Sequence, residues 1–130
     1  MIACLKHFKR SESGAAAIEF ALVGMVAIIL FLGIIEFGRG LHIRNEMSYA
    51  ADRAARQILL NSAVSNAEVE LALRDTITFA TADLQITFGT ESAQGVDFRT
   101  ILIRYPVSLI IPGLSNGRIT LSVDRRVPIH

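Results

Sequence analysis

The chain has 130 residues, 52% of them hydrophobic, and a formal net charge of +1. That charge belongs to the N-terminus: residues 1–14 carry Lys6, Lys9, Arg10 and Glu12, for +2, while residues 15–130 carry ten Lys/Arg and eleven Asp/Glu, for −1. A nearly neutral body leaves no electrostatic footprint for nucleic acid, and a chain whose one cysteine is Cys4 has neither disulfides nor thiolate metal sites beyond its leader.

Residues 1–14 read as a short basic leader. Ile2-Ala3-Cys4 is no lipoprotein signal, because no apolar stretch precedes it. From Ala15 to Ile35 there is a single charge, Glu19. About 20 apolar residues suffice to cross a bilayer as a helix, so residues 15–35 are read as a membrane span. Lys6, Lys9 and Arg10 before it argue for a cytoplasmic N-terminus. An ordinary secretory signal is cut after its apolar stretch at a small-residue site. Here that stretch ends in Ile34-Ile35-Glu36-Phe37-Gly38-Arg39, which has no such pattern. Cleavage before the span, or none at all, fits better. In the second case Gly14 is only a hinge in an uncleaved signal anchor.

A carboxylate within the span costs roughly 2.5–3.5 kcal/mol at mid-membrane and less near an end. Glu19 either has a partner or reaches back to the headgroups. Ala17 and Ala21 form a small-x-x-x-small pair that lets helices approach closely, or they are apolar filler. Glu36 and Arg39, three apart on a helix, mark the end of the span and pair weakly.

No strong breaker appears between the span and Asn61-Ser62, so one helix is expected from Ala15 to about Leu60, roughly 70 Å long. Gly38 and Gly40 weaken it locally, by roughly 1 kcal/mol each relative to alanine. Phe37, Leu41, Ser48, Ala51, Ala55 and Ile58 form a small-residue stripe on its second half. Ser65 and Glu68 make a capping box that opens a second helix, from about Asn66 to Phe79 or Ala80. Val69, Leu73 and Ile77 line one face of it, widened by Leu71 and Phe79.

The last third reads as sheet. Leu84, Ile86 and Phe88 alternate with polar residues, and a polar loop is expected from Gly89 to Gly95. Ile101, Ile103, Tyr105, Val107, Leu109 and Ile111 share one face of the next strand. Pro106 within it calls for a bulge or an edge position. Pro112-Gly113 breaks that strand, and Asn116-Gly117 is the strongest short hairpin signal. Ile119, Leu121 and Val123 alternate in the third strand. Three antiparallel strands with one oily face need a cover, which the second half of the long helix can supply. The expected class is α+β, with residues 36–130 forming the domain.

Catalytic and metal motifs are missing. His7 is in the leader, His42 stands alone beside the span, and His130 is the last residue. There is no zinc spacing, phosphate loop or nucleophile elbow. Asp52, His42 and a serine have no spacing that favours a triad. No enzyme, metal or cofactor is expected.

Three blocks carry a resemblance: Gly14-Ala15-Ala16-Ala17-Ile18-Glu19-Phe20-Ala21-Leu22-Val23, Ile34-Ile35-Glu36-Phe37-Gly38-Arg39, and Ala50-Ala51-Asp52-Arg53-Ala54-Ala55-Arg56. Together they resemble the TadE-like family, and the three C-terminal strands are similar to that family's C-terminal part. Many relatives have a proline in the first half of the span, where this chain has Gly24-Met25, and a glycine where it has Ala54. Members are minor pilins, or pseudopilins, of the tight-adherence (Tad, or Flp-type) pilus. The spacing of Gly14 and Glu19 resembles a class III signal, cut by a prepilin peptidase after glycine so that glutamate is the fifth mature residue.

The resemblance implies a pilin-like fold, a processing site at Gly14 and Ala15, and an assembly or recognition role for Glu19 and Phe20. The implied partners are the membrane, the prepilin peptidase, other Tad pilins and minor pilins, and the Tad inner-membrane assembly platform. It also implies a single-pass protein of the bacterial inner membrane, with a cytoplasmic leader and a periplasmic domain that can join a surface pilus. Two other classes stay open from the residues: an uncleaved, membrane-anchored sensor or scaffold, and a membrane-tethered hydrolase, which would need a concave polar site.

Overall fold

The computed structural model describes residues 12–110 and 117–129. Cys4, the basic leader residues, His7, Pro112-Gly113, Asn116 and His130 lie outside the described residues. Helix α1 covers Glu12–Leu60, helix α2 Asn66–Thr76, and strands β1, β2 and β3 cover Gln85–Ala93, Val96–Ser108 and Arg118–Ile129. The class is α+β. The chain divides into two compact units, Met1–Ile35 and Glu36–His130.

In the first unit, the described residues are the opening part of α1. Its apolar window has a mean hydropathy of 2.7 and none of it is buried. Length and composition are enough to cross a membrane, which supports membrane anchoring.

The second unit holds the core. α1 continues through Gly38 and Gly40 without a break in the helix. Its buried stripe is Ile43, Met47, Ala50, Ala51, Ala54 and Ile58, at helical spacings of three and four. Phe37 and Leu41, which the sequence placed on that stripe, are exposed. Small alanines make up the centre of the stripe, with the larger Ile43, Met47 and Ile58 around them.

After α1, Asn61 to Ser65 turns the chain. The Ser65 hydroxyl accepts from the Glu68 N–H at 3.2 Å, and the Glu68 carboxylate accepts from the Ser65 N–H at 3.1 Å. Such a cap is worth about 1 kcal/mol. Val69, Leu73 and Ile77 are buried as expected, but Leu71 faces solvent. The helix stops at Thr76, because Ile77 is already extended. The Thr76 hydroxyl donates to the Ala72 carbonyl at 2.7 Å, a back-bond that competes with the helix ladder. Beyond it the Phe79 ring packs on Tyr105 with centroids 4.6 Å apart.

The sheet is an antiparallel meander in the order β1-β2-β3. β1 runs on through Thr90, Glu91 and Ser92 to pair Ala93 with Val96, so the expected polar loop is strand. The turn is the two residues Gln94 and Gly95, both at positive φ (54° and 80°), matching the right-handed twist of the strands it joins.

Pro106 is accommodated without a bulge. The β2–β3 register is unbroken from Asp97 to Ser108. The Leu109 N–H donates to Gly117 O at 2.8 Å, so odd-numbered β2 residues bond to β3 and position 106 points the other way. β1 has already ended there, since its last partner is Arg104. Pro106 therefore sits where no ladder bond is lost. On the inner face Ile101, Ile103, Val107, Val123 and Val127 are buried together with the α1 stripe, Val69 and Leu73.

Candidate functional site

Two groups of side chains stand apart from the core. The first lies on the opening turns of α1. Gly14, Ala15, Glu19 and Phe20 are all helical and all exposed. Glu19 makes no ion pair among the described residues. Phe20 beside it is 80% exposed. This membrane-length apolar surface thus carries a carboxylate, Glu19, that has no ion-pair partner among the described residues. A carboxylate can accept a cation or ammonium, and one left alone in lipid would be costly.

The second group ties the start of the domain to the end of β2. Glu36 is buried, and its carboxylate takes Arg39 Nη2 at 2.6 Å and the Ile110 N–H at 3.0 Å. Arg39 also donates to the Ser108 carbonyl. Sequence spacing led to a weak surface pair. The structure adds two backbone partners that lie 69 and 74 residues along the chain. Arg39 and Arg118 also line a hollow of about 150 Å³ with Asp83, Tyr105 and Ser108.

Further along, Glu46 holds the chain after α2. It accepts from the Thr78 hydroxyl at 2.7 Å and the Thr78 N–H at 3.2 Å, with His42 Nε2 at 3.2 Å. Asp52 pairs with Arg125 at 2.6 Å. Arg99, the buried charge on the inner face of β2, donates to Val64 O at 2.8 Å and to Asn66, and lies 5.8 Å from the Phe88 ring centre. The sequence reading did not single out Arg99. Its place two residues before Ile101, on the apolar parity of the strand, was the signal.

The Arg39 hydrogen bond holds the Glu36 carboxyl below its ordinary range, against the opposing effect of burial and with help from the Ile110 N–H and the arginine charge. The Thr78 hydroxyl does the same for Glu46, again against burial, aided by the Thr78 N–H and His42. A carboxyl lowered in the folded state stabilises fully above its unfolded value, about 4.3. That contribution fades as pH falls below this value and through the lowered folded value. Acid titration of the denaturation midpoint is therefore expected to show a loss that begins near pH 5 and deepens below pH 4. In Glu36→Gln and Glu46→Gln the same titration is expected to be flatter. An unchanged slope in both variants would contradict the assignment.

Among the described residues no three His, Cys, Asp or Glu side chains converge on a metal-sized site. No curated protein and no solved structure matches the chain. A family match covers α1 from Gly14 as far as Arg56, leaving α2 and the sheet outside it. Over residues 14–56, which hold Glu19, the apolar helix and the Glu36–Arg39 pair, the chain is similar to the family described as TadE-like protein.

Proposed function

We propose that the chain is a minor pilin, or pseudopilin, needed to assemble a Tad-type pilus. The observation that supports this most is the coincidence of the TadE-like match, which begins at Gly14, with an exposed Glu19 five residues on that makes no ion pair among the described residues. The basic leader stays in the cytoplasm, the span crosses the inner membrane, and the domain stands in the periplasm. A prepilin peptidase cuts between Gly14 and Ala15. The new ammonium of Ala15 then pairs with Glu19 of a neighbouring subunit. Both charges are neutralised in low dielectric, and the axial stagger of the helices is set. Function is packing rather than catalysis, with other Tad pilins and the inner-membrane assembly platform as partners.

The test is piliation of cells that lack the chain. Surface pili are expected to disappear and to return on complementation with the wild-type chain. Undiminished piliation in the deletion strain would contradict the reading.

A further inference from the structure

We propose that the corner of the domain formed by Phe37, Arg39, Ile110 and Arg118 is a lipid-surface contact, with the phospholipid headgroup layer as its partner. This rests on α1 crossing a membrane as far as Ile35. The hydrogen bonds fix which end of the sheet lies beside the first turns of α1 after that point. Glu36 meets the Ile110 N–H, Arg39 meets the Ser108 carbonyl, and Asp52 meets Arg125 much further along. Arg118 is the partner of Ser108 in the ladder. The end of β2 and the start of β3 are therefore held at the level of residues 36–39.

Two large apolar side chains are displayed at that level: Phe37 is 70% exposed and Ile110 is 59% exposed. Both are costly to leave in water. Phe37 follows the last residue of the span, Ile35, by two positions in the sequence. Arg39 and Arg118 line the hollow beside Ser108. Guanidinium groups recognise phosphate oxygens through paired N–H bonds. Asp83 in the same hollow offsets part of that charge.

The depths agree with the chemistry. At 1.5 Å per residue, Phe37 lies about 3 Å and Arg39 about 6 Å past Ile35 along the helix axis. The headgroup layer occupies roughly 5–8 Å on each side of the hydrocarbon. The aromatic ring then falls at the acyl boundary and the guanidinium among the phosphates. The buried Glu36 is what makes the corner rigid, since it ties Arg39 and Ile110 into one unit.

The experiment uses the full chain with Cys4→Ser, reconstituted in vesicles of phosphatidylcholine and phosphatidylglycerol. Single nitroxide labels are placed through Ile110→Cys, Val26→Cys and Ser92→Cys. Collision rates are read with oxygen, which partitions into lipid, and with a water-soluble nickel chelate. At Val26→Cys oxygen is expected to dominate strongly, and at Ser92→Cys the chelate. At Ile110→Cys oxygen is expected to exceed the chelate several-fold, and adding Arg118→Glu is expected to shift that label towards water.

A label at Ile110→Cys as aqueous as that at Ser92→Cys, with Val26→Cys still deep, overturns the lipid contact and leaves the span standing. An aqueous Val26→Cys overturns both. Shielding of Ile110→Cys from oxygen and chelate alike marks a protein neighbour and also overturns the proposal.

Discussion

Truncation of Ile103 to alanine is expected to destabilise the domain by about 2–5 kcal/mol. Ile103 is fully buried in the middle strand, flanked by Ile86 on one side and Val123 on the other. It is held by neighbours on both edges, so the surroundings have little room to collapse into the gap. A domain of this size has about 5–15 kcal/mol of stability in total, so this one change removes a large share of it. The matched control is Leu71→Ala. The same type of apolar truncation on a residue 69% exposed is expected to stay within about 0.5 kcal/mol. Urea denaturation of both variants, followed by circular dichroism of the detergent-extracted chain, checks the pair. Equal effects at the two positions would contradict the core described here.

Glu19→Ala is expected to reduce incorporation into filaments by roughly a hundredfold to a few thousandfold. Removing the carboxylate leaves the neighbouring ammonium of Ala15 unpaired in low dielectric, which costs about 3–5 kcal/mol for a broken buried pair. Glu19→Gln is expected to fail almost as badly, because shape is kept and charge is lost. Insertion is expected to survive in both, since the span only becomes more apolar. Counting pili by electron microscopy, beside the amount of membrane-extracted chain, separates the two effects. Normal piliation in Glu19→Gln would contradict charge pairing as the register device.

These expectations rest on parts of the chain that were unequally legible. The capping box was readable because Ser65 and Glu68 are three residues apart and act locally. The inner face of β2 was readable because Ile101, Ile103 and Val107 alternate without interruption. The extension of β1 was not, since Thr90, Glu91 and Ser92 are exposed on both faces and look like a loop. Their pairing is dictated by the Gln94-Gly95 turn, which no local hydrophobic pattern announces. The α1 stripe was misplaced at its start, where Phe37 and Leu41 have the apolar character of core residues but face outward.

The Glu36–Arg39 pair shows the same limit at the candidate site. Its helical spacing is visible in sequence, and its weak surface worth followed from that spacing. Its backbone partners, Ser108 and Ile110, lie on a strand distant in sequence that only folding brings alongside. Glu19 is the opposite case. A charge in an otherwise apolar run stands out in the sequence alone, and the structure adds that it is exposed and has no ion-pair partner among the described residues.

A pilin role requires a cut before the span. Intact mass and N-terminal sequence of the membrane-extracted chain, from cells with and without the prepilin peptidase, measure it. A mature chain that starts at Ala15 is expected, and only when the peptidase is present. A leader intact through Gly14 in both strains would contradict it, and would leave an uncleaved membrane-anchored scaffold or sensor as the reading of the same helix.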